Sequence, residues 1–220
     1  MNGRGDWMQT ATGRQFWPLD PRPHEVFIED IAHALSMICR FGGHCRRFYS
    51  VAEHSVLISR AAAAEHKRWA LLHDAPEGYI GDKIRPLKPH LIGYREAEQK
   101  IMRAIAVRFD LHLDQPAGVK ALDLALLMDE RDQAMSEPPQ AWDVDVAPLG
   151  VDLQFWSPSR AKREFLSDFK KLWGRNGNKQ PGARRRRRID CIRRFHARLL
   201  HRLATARRLA KYRRSGVARS

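Results

Sequence analysis

Cysteine is scarce and poorly spaced for metal or disulfide chemistry: Cys39, Cys45 and Cys191 are the only three in 220 residues, and no two form a CxxC pair. An odd count without that spacing fits neither a disulfide framework nor a structural zinc knuckle. Cys39 and Cys45 are expected to pack as small apolar side chains or to sit free. Long apolar runs are lacking too. No stretch approaches the length of about eighteen uncharged apolar residues that marks a membrane-crossing helix, and the start MNGRGDWMQTATG has no apolar segment of the secretory kind. Neither a membrane span nor export is expected, and the cytoplasm is the expected compartment. No β-alternating series and no G-x-G-x-x-G turn occurs before residue 174, which argues against Rossmann and P-loop folds and for a helical domain.

What is abundant is positive charge, and it is segregated. Residues 174–220 hold 17 of the 40 Lys and Arg and one of the 25 acidic residues, a net +16, while residues 1–173 hold 23 basic and 24 acidic residues, a net −1. A near-neutral body argues against a broad nucleic-acid face on the folded domain, yet leaves room for a local basic pocket around a small phosphate compound.

With 43% apolar residues the chain can bury one full core. Three regions are predicted: an extended lead over 1–24, a compact all-α domain over 25–173, and a basic linker and tail over 174–220. Pro18, Pro21 and Pro23 forbid helix interior in the lead, after which Ile28, Ile31, Ala32, Leu35 and Ile38 recur at helical spacing. Ser50 is a cap for the helix VAEHSVLISRAAAA, with Glu53 completing a capping box. HKRWALLHDAPE reads as the next helix, ending near Pro76. YREAEQKIMRAIAVRF, GVKALDLALLMDERDQAM and SPSRAKREFLSDFKKLW follow as further helices, the last capped by Ser157 or Ser159. Beyond the linker GRNGNKQPGA, residues 184–214 combine dense Arg with a rough apolar stripe through Ile192, Phe195, Leu199, Leu203 and Leu209, suited to nucleic acid, an anionic surface or another chain, or simply solvated.

The chemistry-bearing pattern is SVAEHS (50–55) followed by LLHDAPE (71–77). Adjacent His73 and Asp74 in a segment otherwise apolar demand compensation for a buried carboxylate, and a cation supplies it. His54 and the carboxylate Asp123 in VKALD would complete a mixed nitrogen and oxygen shell for one divalent ion, with Mn, Co, Fe, Zn or Mg all compatible. Asp129 and Glu130 compete with Asp123. Glu77 and Asp82 offer further carboxylates; Lys83, Arg85, Lys88 and Lys120 are basic residues in or beside the motif segments. Phe16, Trp17, Phe41 and Phe48 are candidate surfaces for a base or sugar, with Trp17 alternatively an anchor of the lead. His44, in a glycine loop, is a pocket candidate, and His33 a packed histidine.

Taken together, SVAEHS, LLHDAPE, GDKIRPLKP and VKALD, across roughly residues 25–135, resemble the HD-domain phosphohydrolases, in particular bacterial 5'-deoxynucleotidases and related phage deoxynucleotide hydrolases. The resemblance implies a helical bundle with a nucleotide substrate. It matches His54, His73, Asp74 and Asp123 to the metal ligands, Glu77 to the carboxylate that activates water, and Asp82 to one that assists at the substrate. It implies substrate contacts at Lys88 and Lys120, and a homodimer. The family's substrate-contacting arginine is matched by Arg40, although Phe41 and two glycines replace the tryptophan and proline expected after it. The implied reaction is hydrolysis of a deoxynucleoside 5'-monophosphate. A deoxynucleoside triphosphate triphosphohydrolase, an alarmone hydrolase and a nucleic-acid-associated protein acting through the tail are the alternatives.

Overall fold

The structure, a computed structural model, describes residues 4–174, and the chain divides into two units, Met1–Lys179 and Gln180–Ser220. The expectations for residues 175–220, including the apolar stripe and Cys191, lie outside the described residues. The described part is mostly helical. It contains α1 (Ile28–Met37), α2 (Val51–Ala61), α3 (Lys67–Leu72), α4 (Glu77–Ile80), α5 (Tyr94–Phe109), α6 (Ala117–Ala134) and α7 (Pro158–Trp173).

The lead is not simply extended, as its prolines suggested. Met8–Gln9 (β1) and Gln15–Phe16 (β2) pair antiparallel, with Met8 opposite Phe16. Gly13, at φ +79, makes the reversal possible. Asp30 of α1 fastens this hairpin by accepting hydrogen bonds from the Thr12 amide (2.8 Å) and hydroxyl (2.9 Å). Phe16 is fully buried and stacks on Tyr79 with ring centroids 3.8 Å apart, while Trp17 is buried beneath the Arg4 guanidinium at 4.0 Å. Both aromatics belong to the packed interior, which removes them as surfaces for a substrate; Trp17 is the anchor of the lead.

The segment 66–77, read from sequence as one helix ending near Pro76, instead breaks after Leu72, and a second helix starts at Glu77. Proline has no amide hydrogen and its ring collides with the carbonyl four residues back, and four residues before Pro76 is Leu72, where α3 ends. Residues 73–76 form a turn before α4 begins at Glu77. His73 and Asp74 therefore stand on a corner between two helices.

Helix α2 packs against α1, α3, α6 and α7, and it is buried along most of its length, from Val51 through Ser59 apart from Leu57. A helix enclosed on most sides must satisfy its own polar side chains. Ser55 donates to the Val51 carbonyl (2.9 Å) and Ser59 to the Lys67 carbonyl (2.9 Å). Ser50 caps the helix by accepting from the Glu53 amide (3.1 Å). The reciprocal half of the expected capping box is absent, because the Glu53 carboxylate turns to the non-helical segment 149–156. It accepts from the amides of Gln154 (2.8 Å), Phe155 (2.9 Å) and Trp156 (2.6 Å). Asp129 accepts from Leu149 (2.7 Å) and Gly150 (3.0 Å), and Gln133 from Leu153 (2.9 Å). Side chains of α2 and α6 thus satisfy backbone donors that this segment would otherwise bury without partners.

Candidate metal centre

Four side chains from three places in the chain converge. His54 comes from the first turn of α2, His73 and Asp74 from the α3–α4 corner, and Asp123 from α6. His54 Nε2 lies 3.3 Å from His73 Nε2, 3.5 Å from Asp74 Oδ2 and 3.2 Å from Asp123 Oδ1, and His73 Nε2 lies 3.2 Å from Asp74 Oδ2. One ligand atom each from His54, His73 and Asp123 fall within 4.8 Å of one another, a cluster able to hold a metal ion.

The donor set fits a cation on its own chemistry. The Nδ1 of each imidazole already faces an acceptor: Glu130 Oε1 at 2.6 Å from His54, and the Ala70 carbonyl at 2.7 Å from His73. With a proton on each Nδ1, both Nε2 lone pairs point at each other and at two carboxylates. Only a positive charge, a metal ion or a proton, makes that arrangement favourable. The imidazole side chains are 0% and 4% exposed, whereas those of Asp74 and Asp123 are 20% and 30% exposed. The cluster has a dry nitrogen side and a carboxylate side open to solvent.

Electrostatics follow from these contacts. Burial and the Arg40 charge push the His54 pKa down, but Glu130 and Asp123 outweigh them and leave it raised to about 9. Burial works against the Asp123 carboxylate, yet its bond to His54 and the nearby imidazoles hold it at about 2. Asp74 is held far below the usual carboxylate range by His73, His54 and Arg40 despite its burial. The metal-free protein is therefore expected to keep the second proton of His54 up to about pH 9. Because this folded value lies above the ordinary one of 6.5, the stabilisation from the protonated ring is complete below about pH 6.5 and is lost as pH rises through about 9. An NMR titration of the ring checks the first statement and urea unfolding across that window the second; a ring that titrates at its ordinary value would refute both. A metal must displace this proton, so its apparent affinity rises with pH.

The other sequence candidates are placed as follows. Glu77 is buried at the start of α4. One oxygen accepts from Lys88 Nζ (3.0 Å), while Oε2 has no hydrogen-bond partner among the described residues. Burial, then Asp74 and Asp82, push its carboxyl well above the usual range against the pull of Lys88. Lys88 also donates to Glu98 (3.3 Å), so its ammonium is already engaged by two carboxylates. Asp82 is half-buried. Lys120 is exposed on α6, one turn before Asp123, and His44 is exposed in its loop; neither has a hydrogen bond or ion pair to the cluster among the described residues. His33 is half-buried beside Lys162 Nζ, 3.4 Å from its Nδ1.

Of the competing carboxylates, Asp129 is spent on the backbone of 149–150. Glu130 is turned to the far side of His54 and accepts from Arg40 Nη2 at 2.8 Å. Arg40 is itself largely buried, with Nη1 3.8 Å from Asp74 Oδ2. Sequence reasoning treated Glu130 only as a rival ligand and missed its place behind His54. The available signal was spacing, since seven residues on a helix return Glu130 to the face of Asp123.

No family model matches the chain. Among curated proteins it is 41% identical over 124 residues to the uncharacterized protein RCAP_rcc00048 of Rhodobacter capsulatus, a match covering 52% of this chain and 63% of that protein. It is 38% identical over 138 residues to the uncharacterized protein YfdR of Escherichia coli, covering 63% of this chain and 78% of that one. On that extent of similarity the chain belongs to the same family as YfdR.

Proposed function

We propose that the chain is a metal-dependent phosphohydrolase acting on nucleotides, with a deoxynucleoside 5'-monophosphate as substrate and deoxynucleoside and phosphate as products. The observation that carries this reading is the convergence of His54, His73, Asp74 and Asp123 on one point, beside the buried Glu77 carboxyl, whose Oε2 has no hydrogen-bond partner among the described residues. The relatives carry no functional name, so the choice of substrate rests on the resemblance of the four motif segments. A divalent ion on these donors would neutralise phosphate oxygens and acidify a water.

The protein's own groups do the rest. Glu77 Oε2, without a hydrogen-bond partner among the described residues, is the atom to accept the proton of the attacking water. Burial with the charges of Asp74 and Asp82, which raise this carboxyl's pKa, makes it a stronger base than a free carboxylate before it returns the proton to the leaving 5' oxygen. Lys88 fixes the orientation of Glu77 through the other oxygen. Asp74 and Asp123 stay ionised throughout, as their lowered pKa values require. Lys120 and Asp82 are left to contact the substrate's phosphate or sugar.

The deciding experiment incubates the metal-stripped protein with Mn²⁺ or Co²⁺ and a panel of deoxynucleoside mono- and triphosphates. Phosphate from monophosphates supports the reading, and triphosphate from the longer substrates shifts it to a triphosphohydrolase. Metal binding without turnover of either class would overturn both.

A second reading is favoured by the charge segregation alone: residues 174–220, with a net +16, bind a polyanion such as nucleic acid. Binding by the full chain would then weaken steeply with salt, each phosphate neutralised adding about −0.9 to the log–log slope on duplex DNA. A flat salt dependence would remove this reading. Among the described residues no helix is long and apolar enough to cross a membrane.

A further inference from the structure

Behind the metal cluster lies a second set of buried charges. Glu130 is 0% exposed; Oε1 faces His54 Nδ1 at 2.6 Å, placed to accept its hydrogen bond, and Oε2 accepts from Arg40 Nη2 at 2.8 Å. Arg40 reaches from Glu130 toward Asp74, whose Oδ2 is 3.8 Å from Nη1. The Tyr49 hydroxyl lies near the same carboxylate, whose charge, after burial, raises its pKa.

The backbone holds Arg40 in place independently of its side chain. Its amide donates to the Tyr49 carbonyl (2.9 Å), and the Val51 amide donates to the Ile38 carbonyl (3.1 Å). Arg40 is thereby pinned to the chain just before α2, the helix that carries His54. The following residues Phe41, Gly42 and Gly43 all have positive φ, at 55°, 61° and 84°. Two of the three are glycines, for which this costs little, while Phe41 bears the strain. This reversal turns the chain back immediately after Arg40.

Charge balance gives the arrangement its sense. Asp74, Asp123 and Glu130 contribute three negative charges and Arg40 one positive, a set completed to neutrality by a divalent cation with both imidazoles uncharged. Without Arg40 the set would be left one negative charge in excess in a largely buried place.

We infer that Glu130 and Arg40 form a positioning pair: Glu130 fixes the Nδ1–H tautomer of His54 so that Nε2 faces the metal, and Arg40 holds Glu130 and Asp74 in register. This rests on the metal-centre reading and departs from the substrate-contact role that the sequence suggested for Arg40. Outer partners of ligating histidines of this kind set metal affinity.

The test uses the full chain, with Mn²⁺ affinity measured by calorimetry and the His54 Nδ1–H resonance followed by NMR, metal-free and with diamagnetic Zn²⁺. Glu130→Gln is expected to weaken Mn²⁺ binding about 10- to 100-fold and to shift or broaden that resonance. Asp129→Asn is the control for a purely structural effect. Its carboxylate, on the same helix and also buried, accepts among the described residues from the Leu149 and Gly150 amides, so the change should lower the melting temperature while leaving Mn²⁺ affinity unchanged. Arg40→Lys keeps the charge but cannot span both carboxylates, and should weaken Mn²⁺ binding more than it raises KM. It decides the matter if Glu130→Gln does not fold. Unchanged Mn²⁺ affinity in Glu130→Gln, affinity losses that track melting temperature in both helix variants, or an Arg40→Lys effect confined to KM would overturn the inference. Wild-type protein that binds no metal would instead overturn the metal-centre reading, and the metal-free resonance would still report whether Glu130 holds the His54 proton.

Discussion

Replacing His73 with alanine is expected to abolish divalent-metal binding and to lower phosphate release by about a thousandfold, the equivalent of roughly 4 kcal/mol of lost transition-state stabilisation. The size follows from the number of donors that remain. His54 alone would supply nitrogen, and Asp74 and Asp123, both more exposed than the imidazoles, would compete poorly with water for the ion. The metal-free protein should tolerate the change, because the substitution deletes one of two Nε2 atoms that face each other at 3.3 Å. Calorimetric metal titration and steady-state assays on the same preparation check both halves. Activity that survives without bound metal would show that the cluster is structural. Asp123→Asn should reproduce the loss of metal, since it keeps the side chain's shape and removes its charge.

The largest stability effect is expected at a residue beside the cluster. Glu53→Ala deprives three backbone amides, those of Gln154, Phe155 and Trp156, of their acceptor. Leaving a buried donor unsatisfied costs about 1–3 kcal/mol, so a loss on the order of 3 kcal/mol or more is expected even if one amide regains water. For a domain of this size that corresponds to a fall of roughly 6–12 °C in melting temperature. Glu53→Gln, which keeps one acceptor oxygen, should lose less. Equal melting temperatures for wild type and Glu53→Ala would mean that Leu153 and Trp156, both buried, hold the segment by apolar contact alone. Burial leaves the Glu53 carboxyl raised even against the three amides that favour its charge, so its ionisation costs stability as pH rises through that raised value, and Glu53→Ala should show less of that decline.

Both effects are large for one reason: a charge taken out of water is tolerated only where several partners meet it. Glu53 is met by backbone donors, His54 by Glu130 and Asp123, and Arg40 by Glu130 and Asp74. The cluster is therefore coupled to the packing of α2 against α6 and of segment 149–156 against both.

Residue order alone determined much of this protein. The apolar spacings of α1, α5 and α6 and the caps at Ser50 and Ser157 were legible because each depends on residue type and on neighbours within a turn or two. His54, His73, Asp74 and Asp123, by contrast, were singled out as a set of candidate ligands by the resemblance of four motif segments, the residues alone leaving Asp129 and Glu130 as rivals of Asp123. Pro76 was visible as a stop, but where the helix would end needed the clash with the carbonyl of Leu72 to be taken into account. The short hairpin in the lead was not legible, since two residues per strand carry no alternation. The roles of Glu53, Asp129 and Glu130 were decided only by tertiary structure. From sequence Glu53 looked like a capping-box partner and Glu130 like a rival ligand, because a local rule sees only local donors. In the fold, Glu53 meets amides about a hundred residues away, and Glu130 meets an imidazole and a guanidinium 76 and 90 residues before it. A buried carboxylate takes whichever donors the packing brings to it, and residues that distant are brought together by the burial of the helices between them, which no local spacing encodes.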